Sequence, residues 1–260
     1  MQAFWDSQFK FSEILPDFAG ALARMGAASA AVAERNPLER AAYGPDPRQW
    51  VEWIAGHGPE TCLPVILHGG YWRALEAETH RFMMPAFQPF GAAVANVEYR
   101  LMPAQRLGDL IADTAAALHT LATRFPEAQF LLVGHSAGAH LALSAMADRG
   151  LAARTQGVLA LSGVYDLRPV AQSFLQEALA LTPAEIAQHS LSPEGPYPPT
   201  LYLNGDRETH EFLRGGALMG TAPRAAWRVL PGADHMSLPD VVCAQAPALL
   251  DHLTELGAPV

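Results

Sequence analysis

The sequence holds two cysteines, Cys62 and Cys243, far apart in 260 residues. That spacing and number exclude a disulfide framework. Charge is also scarce, at 17% of residues, and 17 Lys and Arg against 26 Asp and Glu leave a net charge of −9. An acidic chain has no electrostatic means of holding nucleic acid or an anionic membrane surface, so neither is expected as a partner. No stretch reaches the 18 or so consecutive apolar residues of a membrane-spanning helix. Residues 1–11 mix aromatics with Asp6 and Lys10 and lack the basic-then-apolar order of a secretory leader, so a cytoplasmic location is expected. Neither an internal repeat nor a low-complexity tract is visible.

Half of the residues are hydrophobic, a globular composition, and the length suits one large α/β domain spanning 1–260. Short apolar runs at 63–67, 92–97, 130–133, 157–161, 200–203 and 227–230 read as strands, with an earlier one at 49–55. Helical patterns lie between them, at 109–124 and after Ser136, and a last one covers 241–256. Continuous apolar strands separated by amphipathic helices predict a mostly parallel central sheet with helices on both faces. In such a sheet the site lies beyond the carboxyl ends of the strands. The alanine-rich segment 19–35, ending before Pro37, predicts a helix outside the sheet. Residues 1 to about 40 thus form an N-terminal helical extension, for which two roles stay open: a cap over the site, or self-association into a homodimer.

Gly134-His-Ser-Ala-Gly138 matches G-x-S-x-G. It follows the strand 130–133 and precedes the helical run 139–147, the context of a nucleophile elbow in the α/β-hydrolase fold, with Ser136 as nucleophile. Glycines two positions either side of the serine admit a turn too tight for bulkier residues, and the helix start behind Ser136 favours developing negative charge. His140, one helical turn on, has no assigned role. His68-Gly-Gly-Tyr-Trp72 directly follows the strand 63–67. Backbone N–H groups of Gly69, Gly70 and Tyr71, with that of Ala137, are expected to form an oxyanion hole, in which losing one donor costs about 3–4 kcal/mol. Tyr71 and Trp72 are then placed to line the pocket.

The chain has ten histidines. The chain order serine, acid, histidine requires one after the last strands. His235 follows the strand 227–230 through a turn at 231–234, whereas His252 sits within a helical pattern and His189 and His210 come too early. Asp206, Glu208 and Glu211 all follow the strand 200–203. In many proteins that this chain resembles the acid sits three residues after a glycine that ends this strand; counting from Gly205, the resemblance implies Glu208 as the acid, with Asp206 as its rival. The acid fixes the imidazole tautomer and stabilises the imidazolium without taking the proton. No cofactor is needed for this chemistry, and no His, Asp or Glu cluster has the spacing of a metal site. The expected partner is a small-molecule acyl substrate.

Several segments together resemble the kynurenine formamidase (arylformamidase) branch of the α/β hydrolases. They are His68-Gly-Gly-Tyr-Trp72, Val97-Glu-Tyr-Arg-Leu101 with Pro103 soon after, Gly134-His-Ser-Ala-Gly-Ala-His140, Ser162-Gly-Val-Tyr-Asp-Leu167 and Glu208-Thr-His-Glu-Phe212, with Ala42-Tyr-Gly44 before Pro47 at the entry. The resemblance runs from about Tyr43 to His235. It implies hydrolysis of N-formylkynurenine to kynurenine and formate in tryptophan breakdown, and it places the acid at Glu208, three residues before the Glu211-Phe212 pair. Two departures touch the substrate. Gly215 follows Arg214 where that branch often has glutamine, and Met236 follows His235 where it often has phenylalanine. A carboxylesterase or thioesterase acting on a small acyl substrate uses the same skeleton. A non-catalytic binding protein on a hydrolase scaffold is the alternative from another class; such proteins usually lose a triad member, and here all three residue types are present.

Overall fold

The apolar runs pair into one eight-stranded sheet. The computed structural model describes residues 1–259. Its strands are β1 (Glu39–Ala42), β2 (Trp50–Ala55), β3 (Cys62–Leu67), β4 (Ala93–Val97), β5 (Gln129–His135), β6 (Thr155–Leu161), β7 (Thr200–Gly205) and β8 (Ala225–Leu230). Their order is β1-β2-β4-β3-β5-β6-β7-β8. β1 and β2 run antiparallel to their neighbours, and every other pairing is parallel.

The side chains explain this order. Every residue of β3, β4 and β6 is buried, as parallel strands covered on both faces require. Along β3, alternate residues serve opposite layers: Leu63, Val65 and Leu67 enter one core, Cys62 and Ile66 the other. Leu132 joins the first layer, and Leu131 and Val133 the second. β8 forms an edge, and its middle residues Trp227, Arg228 and Val229 face outward. The strand β1 was not anticipated. Its four residues, Glu-Arg-Ala-Ala, carry no apolar run because an exposed edge strand has no second face to bury.

Three helices precede the sheet: α1 (Gln2–Phe9), α2 (Phe11–Ile14) and α3 (Phe18–Arg35). The alanine-rich segment is α3, opened by Asp17, whose carboxylate accepts the Gly20 N–H at 3.1 Å. Ser29 fastens it to the segment Ala77–Met83 by donating to the Thr79 carbonyl at 2.9 Å and accepting the Phe82 N–H at 3.1 Å. The helices Leu107–Arg124 and Leu238–Glu255 are the two longest after β1 and match the expected 109–124 and 241–256 patterns. Both cysteines are free. Among the described residues no helix is long and apolar enough to cross a membrane.

Leu132 lies wholly buried at the centre of the sheet. Leu132→Ala is expected to destabilise the fold by about 2–5 kcal/mol, read as a lower urea midpoint at unchanged m-value. A loss below about 1 kcal/mol would mean that the layer collapses around the gap.

Candidate active site

The carboxyl end of β5 turns sharply into the helix Ala137–Ser144, and Ser136 is the hinge, at φ 55° and ψ −117°. That left-handed backbone costs a residue with a side chain about 1–3 kcal/mol. The surroundings hold it there: the Ser136 N–H donates to the Leu161 carbonyl of β6 at 2.7 Å. The flanking glycines are required by space. A Cβ on Gly138 would lie 2.1 Å from the Leu67 carbonyl oxygen of β3, and one on Gly134 would lie 2.6 Å from the Ala139 nitrogen.

The loop after β3 runs beside this turn. A Cβ on Gly69 would come within 3.1 Å of the Ser136 Cβ, so the two backbones nearly touch. Gly70, Tyr71 and Trp72 all hold positive φ, at 111°, 50° and 59°. The Tyr99 hydroxyl donates to the His68 carbonyl at 2.7 Å, and His68 Nδ1 donates to the Gly69 carbonyl at 2.7 Å. Among the described residues no intramolecular acceptor takes the N–H of Gly69, Gly70, Tyr71 or Ala137. A substrate oxygen is therefore free to do so.

Tyr71 lines the pocket that holds Ser136. Trp72 does not, and this corrects the expectation. Its positive φ turns the side chain into the interior, where it is fully buried and stands edge-on to the His140 ring at 5.2 Å. His140 is a packed histidine, bonded through Nε2 to the His189 carbonyl at 2.8 Å.

His235 and Ser136 line the same pocket. His235 Nδ1 lies 3.2 Å from Glu208 Oε2, and the second Glu208 oxygen accepts a hydrogen bond from the Ser162 hydroxyl. Glu208 is buried, whereas the rival Asp206 is exposed and accepts the Gly232 N–H at 2.8 Å. Asp206 thus shapes the loop leading to His235 without reaching its ring. Glu211 pairs with Arg214. Among the described residues no group of three or more His, Cys, Asp or Glu could hold a metal ion.

Several neighbours of His235 were not foreseen. Phe11 stacks on its ring at 4.1 Å, and Phe212 meets it edge-on at 4.6 Å. Phe11 comes from the N-terminal segment, which contributes part of the pocket lining. Tyr71 donates to the Phe9 carbonyl at 2.8 Å, and Thr209 to the Gln8 carbonyl at 2.9 Å. Phe9, Phe11, Phe18 and Leu22 roof a pocket of about 290 Å³ whose floor holds Ser136 and His235. No spacing in the sequence announces this roof. Ser162 had a signal, since it directly follows the carboxyl end of β6.

A row of buried histidines lies behind the floor. His135 Nε2 donates to the His235 carbonyl at 3.0 Å, and His135 Nδ1 then accepts from His80 Nε2 at 3.3 Å. Burial holds His135 and His68 down to about 3 and His140 to about 4, and keeps His80 well below its ordinary value. Each is neutral when folded and gains a proton near pH 6.5 when unfolded. Their contribution to stability is complete above that pH and is lost as pH falls toward their folded values. Glu98 opposes them between pH 4.5 and 7, because burial pushes its carboxyl up to about 7. With four histidines against one glutamate, urea stability is expected to fall from pH 6.5 to 5, by up to about 1.4 kcal/mol per pH unit per net proton taken up. A flat profile would mean that these imidazoles are charged in the fold.

A family profile for the α/β hydrolase fold matches residues 64–202. The kynurenine formamidase of Danio rerio is 28% identical over 129 residues, 48% of this chain and 44% of that protein. The kynurenine formamidase of Salmo salar is 30% identical over 125 residues, 46% of this chain and 42% of that protein. The matched part is less than half the length of either relative. A Silicibacter structure, provisionally described as a thioesterase, superposes with a TM-score of 0.87 at 20% identity, covering 96% of this chain and 98% of its own. A thermostable carboxylesterase cloned from a metagenomic library superposes with a TM-score of 0.69 at 18% identity, covering 92% and 94%.

Proposed function

The chain belongs to the α/β-hydrolase fold family, and on that basis we propose that it is a serine hydrolase acting by acyl transfer through Ser136, His235 and Glu208. The observation that carries the proposal is the Glu208 carboxylate, 3.2 Å from His235 Nδ1, with His235 and Ser136 facing one pocket. A proton on Nδ1, donated to Glu208, leaves Nε2 bare to accept the Ser136 proton. Ser136 Oγ then adds to the substrate carbonyl carbon. The carbonyl oxygen becomes an anion, and the N–H groups of Gly69, Gly70, Tyr71 and Ala137 are its donors. Collapse of the adduct breaks the bond to the leaving group, which takes the proton from His235. Water, deprotonated by the same histidine, releases the acid and restores Ser136.

The substrate we propose is an aryl formamide of the N-formylkynurenine type, giving an aryl amine and formate, which would place the reaction in tryptophan breakdown. The aromatic roof suits a planar ring, and the relatives matched in sequence are formamidases. A second reading, a small-acyl carboxylesterase or thioesterase, is favoured by Met236. This side chain lines the pocket at the position where the formamidase branch often carries phenylalanine. The solved structures similar in shape carry esterase and thioesterase descriptions and add the fold alone.

Hydrolysis of N-formyl-L-kynurenine against p-nitrophenyl acetate, with Ser136→Ala as the blank, separates the readings. Formamide turnover at kcat/KM of roughly 10⁴ M⁻¹s⁻¹ or more is expected. Ester turnover alone would move the assignment to the second reading, and an undiminished Ser136→Ala variant would remove both. Within the same assay Glu208→Gln is expected to lower kcat by about 10⁴-fold, and Asp206→Asn far less. The reverse ranking would transfer the acid's role to Asp206.

A further inference from the structure

We infer that Arg73 is a specificity residue that holds an anionic group, a carboxylate, on the leaving-group side of the substrate. The inference rests on the hydrolase reading above and narrows its substrate class. Arg73 lines the pocket that holds Ser136 and His235, and no aspartate or glutamate lines that pocket with it. The rest of the wall is largely aromatic and aliphatic, including Phe11, Phe18, Leu75 and Phe174. A fixed cation at the edge of such a wall matches a ligand with an apolar body and one negative charge.

The guanidinium is also available. Among the described residues Arg73 has no side-chain hydrogen bond and no acidic partner within an ion pair. Arg48 makes the contrast. It touches the same loop at the Leu75 carbonyl, at 2.8 Å, but its guanidinium is already engaged by buried Glu98. Arg100 is likewise held by Asp113, at 2.7 Å. Arg73 is exposed and stays hydrated until a ligand arrives.

Its backbone is fixed. The N–H groups of Arg73 and Ala74 both donate to the Gly70 carbonyl, at 3.1 and 3.0 Å. The cation therefore springs from the same tight turn that carries the proposed oxyanion donors, so its root does not drift relative to the reacting carbonyl. A guanidinium fork fits a carboxylate in two-pronged geometry, which an ammonium does not. The chain as a whole carries a net charge of −9 and repels anions, so a preference for an anionic substrate has to arise from a local group such as this one.

The test uses two aryl esters that differ only in charge, 4-acetoxybenzoate and 4-acetoxybenzamide, with the whole protein. The wild type is expected to favour the anion in kcat/KM. Arg73→Gln is expected to lower the anion-to-amide ratio by about tenfold or more, the size of one charged hydrogen-bonded contact, and Arg73→Lys to restore part of it. Equal ratios in wild type and Arg73→Gln would overturn the inference. A second arm does not need turnover. The leaving groups 4-hydroxybenzoate and 4-hydroxybenzamide are titrated calorimetrically into both proteins, and only the anion is expected to weaken, by a similar factor, in Arg73→Gln. Should the protein hydrolyse neither ester nor N-formyl-L-kynurenine, the hydrolase reading falls while this arm still decides on Arg73: unequal binding supports it, and equal binding of the anion to both proteins overturns it.

Discussion

The close approach of the helix Ala137–Ser144 to the centre of the sheet governs the geometry of everything around it. Gly138 has no Cβ because the Leu67 carbonyl occupies the space where one would go. That contact forces the chain to reverse within a single residue, and Ser136 takes the resulting left-handed backbone. The same contact brings the loop after β3 against the serine, so that Gly69 and Ser136 almost touch. Strain at one residue is tolerable because two buried neighbouring strands fix both sides of the turn. Were the helix an ångström further out, Ser136 could relax and the loop after β3 would no longer lie against it.

His235 is held twice. Its ring is oriented by Glu208, and its backbone is anchored by His135. The second anchor depends on imidazoles that carry no charge, since an imidazolium cannot accept a hydrogen bond at Nδ1. A row of neutral rings is possible only where burial suppresses protonation, which is why these histidines sit at the interior end of the site and the exposed ones elsewhere do not join them.

The parallel strands and the elbow were legible in the sequence because each leaves a local trace. An apolar run marks a strand buried on both faces, and a glycine pair brackets a tight turn. Glu208 was reached by counting from Gly205, yet the sequence alone kept Asp206 as a rival, because burial of one side chain and exposure of its near neighbour depend on where the loop folds back. Trp72 was misplaced for a related reason: sequence places it beside Tyr71, but adjacent residues with positive φ throw their side chains in different directions. Phe11 and His80 left no trace. They reach the site from segments 224 and 155 residues before His235, and only the packing of distant parts of the chain brings them there.

The roof over Ser136 and His235 is drawn from residues 9–22, and the rest of the lining from the segments that follow β3, β5, β6 and β8. Ser136 and His235 and most of the aromatic surface above them thus belong to separate stretches of chain. Changes in the roof can alter what is admitted without disturbing a single strand.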